Sequence, residues 1–135
     1  MKSEIANLKS GYVTLVSVLV AAAVGITVAS SLLLLGLGAT RTSYTFGLSN
    51  QSKSIANACA EEALQKIRDS AGFSGTGSLN FGSGKSCTYT VAALSGENRT
   101  VTTSANVGGV IRKIKIDINK IIPNITFSSW QEVAD

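Results

Sequence analysis

Hydrophobic and polar positions follow three different patterns along this chain of 135 residues. From Ser10 to Thr40 no residue is charged, and apolar side chains point to every side of any helix drawn through them. From Thr40 to Ser70 the sequence is polar, but Tyr44, Leu48, Ile55, Cys59, Ala63 and Ile67 recur mostly at steps of four and seven. That spacing draws one apolar stripe along a helix. Beyond Ser70 the period drops to two. Cys87, Tyr89 and Val91 alternate with threonine. Val101, Thr103, Ala105 and Val107 alternate with small polar residues, and Ile114, Ile116 and Ile118 alternate with Lys113, Lys115, Asp117 and Asn119. Alternation of this kind marks strands with one buried and one wet face.

The first two patterns predict a single long helix of about 55 residues, since no proline interrupts them. Glu62 and Lys66 form a favourable pair four apart on it. Gly47 and Asn50 are weak points, and Ala71-Gly72 supplies the stop. Tyr12 to Gly38 exceeds the roughly 20 apolar residues needed to cross a bilayer core. Lys2 and Lys9 precede it, partly offset by Glu4, and Arg41 is the first charge after it, which favours a cytoplasmic N-terminus. A cleaved secretion signal ending at Ala21-Ala22-Ala23 is disfavoured, because it would leave a second hydrophobic stretch on a soluble domain.

For the third region, Ser95-Gly96-Glu97-Asn98 and Gly108-Gly109 read as turns between antiparallel neighbours. The stretch Ala71 to Ser86 is dense in glycine and reads as a loop with a short strand at Leu79 to Phe81. Pro123 interrupts before a final edge strand from Asn124 to Val133. The expected fold is therefore α+β: a long N-terminal helix, transmembrane in its first half and amphipathic in its second, packed on a three- to four-stranded antiparallel sheet.

Composition narrows the chemistry. The formal charge of +4 is a mild basic excess. Arg112, Lys113 and Lys115 alternate with isoleucines and lack the interleaved aromatics of a nucleic-acid surface, so they read as a solvated strand face. Histidine is absent, which removes the commonest general base and metal ligand, and two cysteines are too few for a Cys-rich zinc site. No catalytic residue, metal or cofactor is assigned, and an enzyme is not expected. Gly82-Ser83-Gly84-Lys85-Ser86 looks like the end of a phosphate-binding loop. However, Leu79 stands where the pattern needs glycine, and a strand rather than a helix follows. Glu61 and Glu62 are adjacent on a helix, point about 100° apart, and cannot face each other as an acid-base pair. Asn50, Asn98 and Asn124 each open an N-x-S/T triplet, a pattern common by chance. Cys59 lies on the helix stripe and Cys87 on the inward side of a strand. If the domain is exported, a bridge between them is expected, and the alternative is two reduced, buried thiols.

The N-terminal segment resembles that of type IV pilins and their minor-pilin and pseudopilin relatives. Ser10, Gly11, Tyr12, Thr14 and Leu15 match the prepilin pattern, and Ser17 to Ser30 all belong to its apolar and small set. Val13 departs from a usual serine or threonine, and Val16 replaces the usual glutamate. Leu33 stands where many members have a kinking proline. The resemblance implies a leader at 1–11, a transmembrane and filament-core helix at 12–38, its amphipathic extension at 39–70 and an extracytoplasmic sheet domain at 71–135.

It further implies cleavage after Gly11 by a prepilin peptidase and methylation of the Tyr12 amine. The subunit would be held in the cytoplasmic membrane, its domain outside, and then transferred by the pilus assembly machinery into a cell-surface filament among other pilin subunits. Gly25, Gly36 and Gly38 would locally loosen the filament helix, and small residues would allow close helix approach. The lost carboxylate at Val16 points to an accessory, minor-pilin role. A divergent major pilin and an unprocessed, signal-anchored extracytoplasmic domain are the competing readings. Whether the filament handles nucleic acid or adheres to surfaces does not follow from these residues.

Overall fold

A computed structural model describes Met1 and residues 11–134 in full, and of residues 2–10 gives the helical backbone alone. The elements are α1 (Lys2–Asp69), β1 (Gly75–Gly82), β2 (Lys85–Ala93), β3 (Arg99–Val107), β4 (Val110–Lys120) and β5 (Thr126–Val133). The chain divides into two compact units, residues 1–43 and 44–135. The first is helix alone. The second carries the last part of α1 and one antiparallel sheet of order β1-β2-β3-β4-β5.

The fold is thus α+β, with five strands rather than three or four. The extra strand is β1, which occupies most of the glycine-rich stretch expected to be a loop. Glycine is used there for space. Gly77 lies opposite Tyr89 in the β1–β2 register, and a Cβ on Gly77 would collide with the Tyr89 ring. The ring thereby covers the strand at a position that lacks a side chain of its own. Ser83 and Gly84 close the hairpin, both with positive φ, as the mirror-image two-residue turn requires. The sequence Gly82 to Ser86 is therefore a strand-to-strand turn. Gly108 and Gly109 turn β3 into β4 in the same way, with φ of 56° and 86°.

The last part of α1 packs on one sheet face through small residues. Ala56, Cys59, Ala60 and Ala63 are fully buried, and Leu64 and Ile67 complete the contact. They meet Cys87, Tyr89 and Val91 of β2, Val101 and Ala105 of β3, and Ile114, Ile116 and Ile118 of β4. The alternation seen along each of these strands is the alternation of burial. The helical stripe is narrower than expected. Ile55 is only partly buried at its margin, and Tyr44 is 69% exposed. Ser52 takes a central place instead. Gly47 and Asn50 do not interrupt the helix. Leu48 lies against Gly108, and the Ser49 hydroxyl accepts from the Arg112 guanidinium, so tertiary contacts outweigh local propensity here. The helix stops at Asp69 with Lys66 and Arg68 in its last turn, where positive charge suits the carbonyl end.

Candidate functional site

Two sets of residues carry the chemistry. The first is the apolar run of α1. Gly11 and Tyr12 lie on this helix, and Tyr12 is 71% exposed. Large apolar residues from Val13 to Leu37, Val16 among them, are also exposed, and none of the most apolar part of the run is buried within the chain. Gly25, Gly36 and Gly38 have no neighbour within 4 Å of the position a Cβ would take. Among the described residues this is the one helix long and apolar enough to cross a membrane, consistent with a single-pass membrane protein. Of the leader residues Lys2, Glu4, Lys9 and Ser10 only the helical backbone is described.

The few polar groups of the run are satisfied within it. Thr14 donates to the Gly11 carbonyl at 2.9 Å, Ser17 to Val13 at 2.8 Å and Thr27 to Val24 at 2.8 Å. Ser30 donates to Ile26 at 2.7 Å and Ser31 to Thr27 at 2.9 Å. Just beyond, Thr40 and Thr42 donate to Gly36 and Gly38. A hydroxyl bonded to its own preceding turn needs no water, so this helix can enter hydrocarbon or a dry bundle without stranding a donor. Gly25 has no side chain and those of Ser17, Ala21 and Ala29 are small, which allows another helix to approach closely.

The second set fastens the folded unit. Cys59 and Cys87 form a disulfide with Cα atoms 6.3 Å apart, joining α1 to β2. Ser52, fully buried, directs its hydroxyl at the carbonyls of Ala105 and Val110, each at 3.0 Å, and the Thr103 hydroxyl donates to the Ala56 carbonyl at 3.2 Å. Lys53 of α1 and Arg112 of β4 both pair with Glu132 of β5, at 3.2 and 3.0 Å. At the other end of the sheet Arg99 is buried, and its guanidinium donates to the carbonyls of Gly96, Asn98 and Ala71. It pins the exit of the helix to the β2–β3 loop. Periodicity conceals such residues. Ser52 and Thr103 lie at apolar positions and Arg99 opens a strand, so only their long-range partners reveal their roles.

On the wet face of the sheet, Asp117 accepts from the hydroxyls of Thr100 and Ser129, both at 2.9 Å, with the Lys115 ammonium at 3.5 Å. The Thr100 hydrogen bond is the main cause holding this carboxyl below its ordinary range, with Ser129 and Lys115 adding to it against partial burial. Lys115 therefore belongs to a hydrogen-bonded cluster on the solvated strand face. Glu61 and Glu62 lie on α1, and Glu62 pairs with Lys66 at 3.5 Å. Asn50 is exposed on α1, Asn98 sits in the hydrogen-bonded turn after β2, and Asn124 is exposed between β4 and β5. A cleft of about 510 Å³ lies beside that last connection, and Arg68 is the one charged residue lining it.

Compared with known families, curated proteins and solved structures, the chain has no match in any of the three.

Proposed function

We propose that this chain is a structural subunit of a type IV pilus or related filament, in an accessory, minor-pilin role. In this reading a prepilin peptidase cleaves after Gly11 and methylates the new amine of Tyr12. The membrane holds the precursor by residues 12–38 until the assembly machinery moves it among other pilin subunits. The observation that carries the reading is the apolar run itself. It begins directly behind Gly11-Tyr12, leaves large apolar side chains uncovered, and satisfies its own hydroxyls. Such a surface requires an outside partner. Lipid can serve first and neighbouring helices later, because both present apolar atoms. Val16 supports the accessory role, since a subunit without a carboxylate there offers no buried charge for a neighbour's amine to meet. The disulfide supports an extracytoplasmic location for the folded unit.

Intact mass spectrometry of protein extracted from membranes tests this. The expected species begins at Tyr12 and carries one added methyl group. A chain that keeps Met1 would instead be an unprocessed anchor displaying an extracytoplasmic domain.

A further inference from the structure

One end of the folded unit combines exposed aromatic and aliphatic side chains with basic charge. At this end lie the start of its helical part and the tips of the β1–β2 and β3–β4 hairpins, brought together by Leu48 against Gly108 and by Ser52 on the Val110 carbonyl. Tyr44, Phe46, Phe81 and Ile111 are 69%, 67%, 50% and 47% exposed there. Lys85 stands at the base of the β1–β2 turn. Among the described residues no carboxylate occurs on these turns. The first one met along the sheet is Glu132, opposite Ile114, and Lys53 and Arg112 already neutralise it. Glu61, Glu62, Asp69 and Glu97 belong to the far part of α1 and to the loop after β2. Asp135 lies outside the described residues.

Chain connectivity limits how far this unit can lie from the apolar run. Five residues separate Gly38 from Tyr44, so even a fully extended link spans only about 20 Å. If the apolar run is embedded in a bilayer, the unit's first residue lies within reach of the headgroups. The polar-tipped ring of Tyr44 favours that layer, lysine is drawn to anionic headgroups, and Phe46 and Phe81 add apolar surface beside them.

We propose that this hairpin-tip rim is a lipid-headgroup docking surface, on which the folded unit rests while the chain is held in the membrane. The proposal rests on the membrane-held precursor described above. It adds to that reading a second, reversible contact outside the spanning helix. Tyr44, Phe46 and Phe81 enter the interfacial layer, and Lys85 draws the rim towards anionic lipid. Removing the subunit into a filament then breaks this contact as well as extracting the helix.

The full chain reconstituted into phosphatidylcholine vesicles, with and without phosphatidylglycerol, provides the test. Trp130 is the sole tryptophan and lies away from the rim, paired with Ile116. Its emission is expected to be insensitive to brominated lipids. In a Trp130→Phe background, Phe81→Trp is expected to emit at shorter wavelength and to be strongly quenched by shallow-brominated lipids, more so with phosphatidylglycerol. Lys85→Glu is expected to abolish that extra quenching. Ile111→Trp in the same background gives an independent reporter, and disulfide mapping verifies the fold of each variant. Equal, weak quenching at 81, 111 and 130 in vesicle-bound chain that resists carbonate extraction overturns the docking while leaving the membrane anchor intact. Chain that carbonate extracts overturns the anchor and the docking with it. Protection of position 81 in filaments but not in vesicles assigns the rim to a neighbouring copy and overturns the lipid assignment.

Discussion

The two ends of the same helix differ in where their hydroxyl groups go, although exposed Ser54 of the folded unit also turns back, onto Asn50. In the apolar run, Ser17, Thr27, Ser30 and Ser31 turn back onto their own backbone and offer nothing to a partner. In the folded unit, Ser52 reaches the carbonyls of Ala105 and Val110, and Ser49 meets Arg112. One end is chemically closed and sterically open; the other is bound by specific bonds to a sheet from its own chain. A helix that is to exchange one apolar environment for another must not depend on particular polar partners. A helix that carries a domain must depend on them, because its small contact residues, Ala56, Ala60 and Ala63, bury little area each.

The comparison can be broken at its strongest point first. Replacing both Cys59 and Cys87 by alanine is expected to cost the folded unit about 3–4 kcal/mol, from the chain entropy of a loop with a separation of 28 residues. Thermal unfolding followed by circular dichroism should show a drop in Tm of more than about 10 °C, while extraction of the apolar helix from membranes stays unchanged.

Gly77→Ala is expected to destabilise the same unit by about 1–3 kcal/mol, because the buried Tyr89 ring must move aside. Chemical denaturation should register this as a lower midpoint.

The hydroxyl contrast is sharpened by a matched pair. Ser52→Ala removes the one buried O–H shared between the Ala105 and Val110 carbonyls and should cost about 1–2 kcal/mol. Ser30→Ala removes only a self-directed bond and should change the stability of the folded unit by less than about 0.5 kcal/mol. Equal effects in urea titrations would remove the distinction between the two ends.

The smallest effect belongs to Asp117. Its carboxyl is held below its ordinary value of 3.8 in the folded state, so its contribution is present above that pH and is lost as pH falls through the lower, folded value. Asp117→Asn should therefore lower the neutral region of the stability profile slightly and flatten its acid limb, the two proteins converging below the folded value.

Three isoleucines in β4 were enough to announce a half-buried strand, because period two leaves no competing helical reading. The same holds for the threonine alternation of β2 and β3, and for Gly108-Gly109 as a turn. The helical stop at Ala71-Gly72 was equally readable, with the helix ending at Asp69. What escaped was most of β1, of which only Leu79 to Phe81 was expected as strand. Its glycines resemble a linker until Tyr89 is known to lie over Gly77, and that contact exists only once the strands are paired. Arg99 escaped for a similar reason. A lone arginine at the start of a strand normally points to water, and its three carbonyl partners come from Ala71, Gly96 and Asn98, the first of them 28 residues distant. The apolar run needed no tertiary information, since hydrophobicity on every side is visible in the sequence itself.

The strand count has a geometric consequence for sheets that meet edge to edge. In an antiparallel meander of five, β1 and β5 run in the same direction, and each has a partner on one side only. Head-to-tail translation of one copy onto another would place β5 beside β1 in parallel. Two copies related by a twofold axis would instead join β1 to β1 as an antiparallel pair. A polar fibre, whose repeats all point one way, can use only the first kind of seam, and with an even number of strands that same seam would have been antiparallel.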